Sequence, residues 1–231
     1  MFVNFFKHLF TIAALTVAQY SAAESITLAV ENSWPPFADK NGNGISKKII
    51  QAAYNSVNIN VEFIAVPYAR ALRMVEQGHV DGAFNVTKQK STLEKFHFGE
   101  VPILKTSASF YYHTDSVMNF LSTSEMLKDT SVGVIIGYEY GDKYERNKHR
   151  FKEVKVANQA QLIQLLRKKR IDVAIMFDEV VKSKLENMKL SLDDIRKGHI
   201  NHESDIHVAF SKAKDTAKAM QLLDKGLRNI K

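Results

Sequence analysis

Glu31, Asn32 and Trp34 follow the first short apolar run after the N-terminal region; Tyr68 and Arg70 follow the second; Asn85, Thr87 and Lys88 close the third. Farther along, Gly137, Tyr138 and Glu139 follow one apolar run and Asp178 follows another. These residue types suit holding a small molecule. Trp34, Tyr68 and Tyr138 can stack on a flat or apolar body. Arg70 and Lys88 can pair with an anionic group, and Glu31 and Asp178 with an amine. Each has a plainer reading. Trp34 can be a core residue beneath the Pro35-Pro36 turn, Arg70 a helix-surface ion pair, and Asp178 the cap of a helix starting at Glu179. Lys88, close to Lys90, can be solvated, and a carboxylate such as Glu31 is common after a strand.

Signals for bond-breaking chemistry are poor. The chain has no Gly-x-Ser-x-Gly turn, Walker loop or His-Glu-x-x-His. Asp39 and Asn41 open a stretch with some likeness to a calcium loop, but the later acidic ligands are missing. His199, His202 and His207 lie close in sequence without a metal-ligand spacing. No catalytic residue, metal or cofactor is expected.

The elements that must position the set alternate. Ile26–Val30 reads as a strand, Ser46 as the cap of a helix with Ile49, Ile50, Ala53 and Val57 on its apolar face, and Val61–Val66 as a strand. Tyr68–Gln77 reads as a helix closed by Gly78, and Val80–Val86 as a strand. Such order implies a parallel sheet with helices on its faces, and ligands bind beyond the carboxyl ends of such strands. An extended aromatic stretch, Thr106–His113, and a short helix at Ser124–Lys128 break the pattern. A second alternation then runs through a strand at Val132–Ile136, a helix at Tyr140–Asn147, a strand at Val154–Val156, a helix at Gln159–Lys169, a strand at Ile171–Phe177 and a helix at Glu179–Asn187. Ile206–Phe210 is extended, and Ala213–Leu227 is a terminal helix. A faint internal echo supports two similar lobes: Val80-Asp81-Gly82-Ala83-Phe84 and Ile171-Asp172-Val173-Ala174-Ile175 each follow a helix and a tight turn.

The chain of 231 residues contains no cysteine, so the fold must stand on its apolar core without disulfides, and a lipoprotein anchor is excluded. The formal charge of +7 is spread over many segments, which points to a solvated basic surface and away from nucleic acid. Residues 1–23 read as a secretory signal: Lys7 and His8, the apolar run Leu9–Ala18, then Ser21-Ala22-Ala23 before a mature start at Glu24. A membrane anchor is the competing reading, but the run is short for a span of about 30 Å. The mature chain is expected to be soluble, monomeric and periplasmic, from a Gram-negative bacterium.

In order and spacing, the residues resemble the family 3 extracellular solute-binding proteins. The marks are Trp34-Pro35-Pro36-Phe37, Pro67-Tyr68-Ala69-Arg70-Ala71-Leu72, Val80 to Thr87, Phe96-His97-Phe98-Gly99-Glu100, Val132 to Gly137 and Ile171 to Ile175. The resemblance implies an α/β fold of the two-lobed type II periplasmic binding protein kind. Each lobe would be a mostly parallel sheet flanked by helices, with two extended crossings between lobes. Residues 24–107 and 206–231 would form one lobe and 108–205 the other. By position, Trp34 and Tyr68 correspond to aromatic walls, Glu31 and Asp178 to amine-binding acids, Asn85 and Thr87 to contacts with a ligand carboxylate, and Gly137 to a backbone contact. One departure matters. Amino-acid binders carry an arginine shortly after the Thr87 position, and the matching places here, Lys90 or Thr92, hold none. Either a lysine or Arg70 takes the role, or the ligand is not an α-amino acid. The implied function is capture of a small polar ligand, an amino acid or related organic acid, for an ABC permease. A sensor partner of a membrane receptor and a cyclohexadienyl dehydratase-like enzyme, with Glu139 or Asp178 as its acid or base, are the alternatives on the same fold.

Overall fold

A computed structural model describes residues 25–231; the expected signal segment lies outside the described residues. Three parallel strands form one half of the sheet: β1 (Ile26–Glu31), β2 (Val61–Val66) and β3 (Gly82–Thr87), with β1 in the middle. They are joined by α1 (Ile45–Asn55) and α2 (Tyr68–Glu76). After α3 (Lys90–Leu93) and β4 (His97–Phe98), β5 (Leu104–Tyr112) leads into the other half. There β6 (Ser131–Ile135) lies between the parallel strands β7 (Lys152–Val156) and β8 (Val173–Phe177). Helices α4 (Asp142–Asn147), α5 (Gln159–Arg167) and α6 (Asp178–Asn187) complete it. The 15-residue β9 (Arg196–Phe210) runs back antiparallel to β5, and α7 (Ala217–Asn229) closes the chain. The strand order is β2-β1-β3-β9-β5-β8-β6-β7.

Two paired antiparallel strands therefore join the halves. β3 meets β9 only over Ile206–Phe210, and β8 meets β5 only over Ala108–Tyr111. The β5–β9 register shifts at Ser109, and the β3–β9 register shifts between Phe84 and Val86. Such bulges increase local twist, which turns one half against the other. The largest apolar cluster crosses the junction, with Leu28, Val30 and Trp34 from the first half and Val132, Val173 and Phe177 from the second.

The echo between the halves has a structural basis. Asp81 accepts from the Thr27 backbone N–H at 2.8 Å, and Asp172 accepts from the Ser131 N–H at 2.7 Å. Each aspartate precedes the strand beside its half's first strand, and its carboxylate holds the start of that first strand. The same job at the same place explains the shared sequence pattern.

The elements depart from the sequence reading at several places. Ser46 does not cap α1: the helix begins at Ile45, and its early N–H groups bond to the carbonyls of Pro36 and Phe37 (3.2 and 3.3 Å), while Ser46 is buried. Residues 124–128 are not helical. Glu125 accepts from the Leu121 N–H at 2.9 Å and Ser122 from the Ser124 N–H at 3.3 Å, local bonds that compete with a helix. The last helix starts at Ala217 and not at Ala213, because Thr216 bonds to the Ser211 carbonyl and Ser211 in turn to the Val75 carbonyl. β9 begins ten residues before the expected Ile206. The terminal helix seats closely on α1: a Cβ at Gly226 would stand 2.1 Å from the Ala53 carbonyl oxygen, so only glycine permits that approach.

Candidate functional site

The carboxyl ends of β1, β3, β6 and β8 converge where the two halves meet. Glu31 ends β1. The chain then makes a tight loop in which Trp34 and Ala38 exchange backbone hydrogen bonds of 2.8 and 2.9 Å. That loop pins Trp34, whose ring stacks on Phe37 at 4.5 Å and meets Phe177 of the opposite half edge-on at 5.2 Å. Trp34 is thus a buried core residue, the plainer of the two readings its sequence position allows, and its ring also reaches the opposite half.

Two tyrosine–glutamate pairs cross the junction in opposite senses. The Tyr138 hydroxyl, from the second half, donates to Glu31 of the first. The Tyr68 hydroxyl, from the first half, donates to Glu139 of the second at 2.6 Å. The two rings meet at 4.9 Å, near perpendicular, and Tyr138 also lies 6.2 Å from Phe177. Gly137, at φ 85°, lets the loop before Tyr138 press against α2; a Cβ there would stand 3.1 Å from the Ala69 Cβ. A third bond between the halves runs from the Gly141 N–H to the Gln89 side chain at 3.1 Å.

Burial dominates the electrostatics. Desolvation pushes Glu31 and Glu139 each up to about 8. The Tyr138 hydrogen bond and the charge of Lys184 oppose this at Glu31, while Glu139 reinforces it. At Glu139 the Tyr68 hydroxyl and nearby backbone N–H groups oppose it. Around neutral pH these acids are therefore mostly protonated while the halves are closed. His202, 5.8 Å from Phe177, is pushed down to about 4 by burial.

Of the residues expected to hold a ligand, Glu31, Trp34, Tyr68, Gly137 and Tyr138 come together. Asn85 and Thr87 lie on the adjacent strand end, both buried. β3 pairs with β1 at Leu28–Gly82 and Ala29–Ala83, so Asn85 and Glu31 lie at the same end of neighbouring strands. Asn85 takes φ 67° at the bulge, and neither of its buried amide atoms has a partner among the described residues. Three residues stand apart. Arg70 is exposed, and its guanidinium has no hydrogen bond or ion pair among the described residues. Lys88 is exposed and donates to the Gly99 carbonyl at 3.1 Å. Asp178 does not cap its helix; its carboxylate accepts from Ser109 (3.1 Å), Tyr111 (2.8 Å) and Lys197 (2.8 Å).

Gln89, Phe177 and His202 belong to the junction and were not expected there, and Glu139, expected at the strand end, has an expected role only as an acid or base. Glu139 had a signal, a carboxylate between two tyrosines after a strand. Cavities of about 800 and 400 Å³ flank the crossed pairs. Lys88, Thr106 and His202 line the larger; Thr92, Tyr138 and Glu139 line the smaller.

The fold and this junction define a two-lobed binding protein. The chain belongs to the bacterial extracellular solute-binding proteins, family 3, whose model matches residues 26–231. It is a solute-binding protein. No curated protein sequence matches it significantly. Among solved structures it is similar to an ancestral arginine-binding protein bound to arginine (17% identity, 89% of this chain and 92% of that one, TM-score 0.73). It is also similar to a histidine kinase sensor domain with similarity to periplasmic binding proteins (15%, 90% and 90%, TM-score 0.76). A third is the amino acid ABC transporter substrate-binding protein AbpA from Streptococcus pneumoniae bound to L-arginine (18%, 89% and 88%, TM-score 0.71). At these identities the likeness speaks for the fold.

Proposed function

We propose that this protein captures a small polar solute between its lobes, outside the cytoplasm, and delivers it to an ABC-type permease. The observation that carries the reading is the pair of crossed tyrosine–glutamate contacts. They lie where the strand ends of both halves meet, the place where open α/β sheets bind ligands. The lobes would divide near residues 107 and 206, where β5 and β9 change neighbours. Closure on a solute would exchange these direct contacts for contacts through the ligand. Family membership and relatives described as ABC transporter substrate-binding proteins support uptake over catalysis, and Asp178 is engaged by three partners within its own half. No helix among the described residues is long and apolar enough to cross a membrane.

A verified ligand should alter the balance between open and closed lobes and lower the radius of gyration in solution scattering. A bound ligand that leaves the radius unchanged contradicts a hinged clamp. The export reading has its own check. Mass spectrometry of periplasmic extract should find an N-terminus at Glu24, give or take about two residues, whereas protein retaining Met1 would contradict it.

A further inference from the structure

We propose that the interlobe cleft takes a small organic cation without a carboxylate, such as a primary amine or guanidine, and that Glu31 and Glu139 act together as its anionic partners. This rests on the reading of the cleft as the solute site and narrows it.

The charged groups at the junction favour a cation. Glu31 and Glu139 are 3% and 8% exposed, one from each lobe. Of the cations that could hold a ligand carboxylate, Arg70 and Lys90 line neither flanking cavity, and Lys88 lines the larger one away from the two acids. Arg70, Lys88 and Lys90 are all exposed, and Lys88 is tied to Gly99. Thr92, at the other candidate place for the missing arginine, spends its hydroxyl on the Thr87 carbonyl at 2.8 Å and on the Gln89 N–H at 3.0 Å. Lys184 lies at the margin, 3.4 Å from the Ser33 hydroxyl and within reach of the Glu31 charge. A carboxylate set between Glu31 and Glu139 would meet two acids, with the Lys184 charge already facing Glu31, and burying it unpaired is costly.

The walls point the same way. Tyr138 and Tyr68 bond to the two acids, their rings meet each other and run on through Phe177 to Trp34, and aromatic faces attract cations. The unpartnered polar atoms refine the ligand. Asn85 is 4% exposed and Trp34 1%, and the Asn85 amide and the Trp34 indole N–H both lack partners among the described residues. Asn85 Oδ1 can accept from an ammonium. Asn85 Nδ2 and Trp34 Nε1 are donors, and each asks for a neutral acceptor such as a hydroxyl or carbonyl. The ligand's N–H groups would replace the tyrosine hydroxyls as donors to Glu31 and Glu139, and both acids would ionise as the cation enters.

Calorimetry on the whole mature protein with matched pairs tests this: ethanolamine against serine, cadaverine against lysine, agmatine against arginine. At least one decarboxylated member should bind about ten-fold or more tighter than its parent. Losing one charge-assisted bond should weaken that binding by roughly ten- to a hundred-fold in Glu139→Gln and in Glu31→Gln. Both variants keep the side-chain shape and an acceptor for the tyrosine, and their melting temperatures show whether they fold. The observed heat should also change with the ionisation enthalpy of the buffer, because protons leave the acids. If a parent amino acid or an organic acid binds more tightly, the cation inference is overturned while solute capture stands. If a panel widened to organic acids, sugars and short peptides yields no binding, cleft capture itself fails and the inference with it.

Discussion

The melting temperature of this protein should fall as pH rises from about 6.5 to about 8, and substituting both Glu31 and Glu139 by glutamine should flatten that slope. Each acid is pushed from an ordinary 4.5 up to about 8 by burial. Between those values the folded protein holds protons that the unfolded chain has released. Stability is then fully present below about 4.5 and is lost as pH climbs through about 8. Each carboxylate contributes a slope of up to about 1.4 kcal/mol per pH unit. For a chain of this size, 1 kcal/mol corresponds to about 2–4 °C. Glu31 and Glu139 also repel each other, so the second proton is released at higher pH than the first.

Two histidines work in the opposite direction. Burial lowers His202 and His207 each to about 4, so stability rises as pH climbs from about 4 to 6.5. Above about 6.5 their contribution is complete, which leaves the window up to about 8 to the glutamates. Glutamine keeps an acceptor for Tyr138 and Tyr68 but holds no titrating proton. Calorimetric melting of the parent and the double variant at half-unit intervals makes the comparison. A parent whose melting point is flat or rises between about 6.5 and 8 would show that the two acids are not held protonated between the lobes.

The regular part of each half was legible in the sequence. β2 and the start of β1 fall where their apolar runs place them, and α2 ends within a residue of its expected stop. These segments bury one face or both, and burial leaves a period in the sequence. The first ten residues of β9 left none: of Arg196 to Asp205 only Ser204 is buried. That stretch is a strand because it pairs with β5, and backbone pairing has no side-chain signature. Missing it also hid His202 and Asn201 at the junction.

The site was legible by position but not by partnership. Strand ends supplied Glu31, Trp34, Tyr68, Asn85, Gly137 and Tyr138. Which hydroxyl meets which acid depends on how the lobes close, across 107 residues for Tyr138 and Glu31 and 71 for Tyr68 and Glu139. Asp178 shows the converse. Its position after β8 suits a ligand contact, but Ser109, Tyr111 and Lys197, brought to it by sheet pairing, take up its carboxylate.

Trp34 is the only tryptophan in the chain, so its emission reports on the junction alone. Its ring is 1% exposed, set between Phe37 of its own lobe and Phe177 of the other. A solute held between the lobes must change what that ring touches. Titrating a ligand while exciting the indole selectively should give a saturable change in intensity or wavelength. Its midpoint should match the dissociation constant measured by calorimetry. Binding seen by calorimetry with Trp34 emission unchanged through saturation would place the solute outside the interlobe cleft and contradict the account.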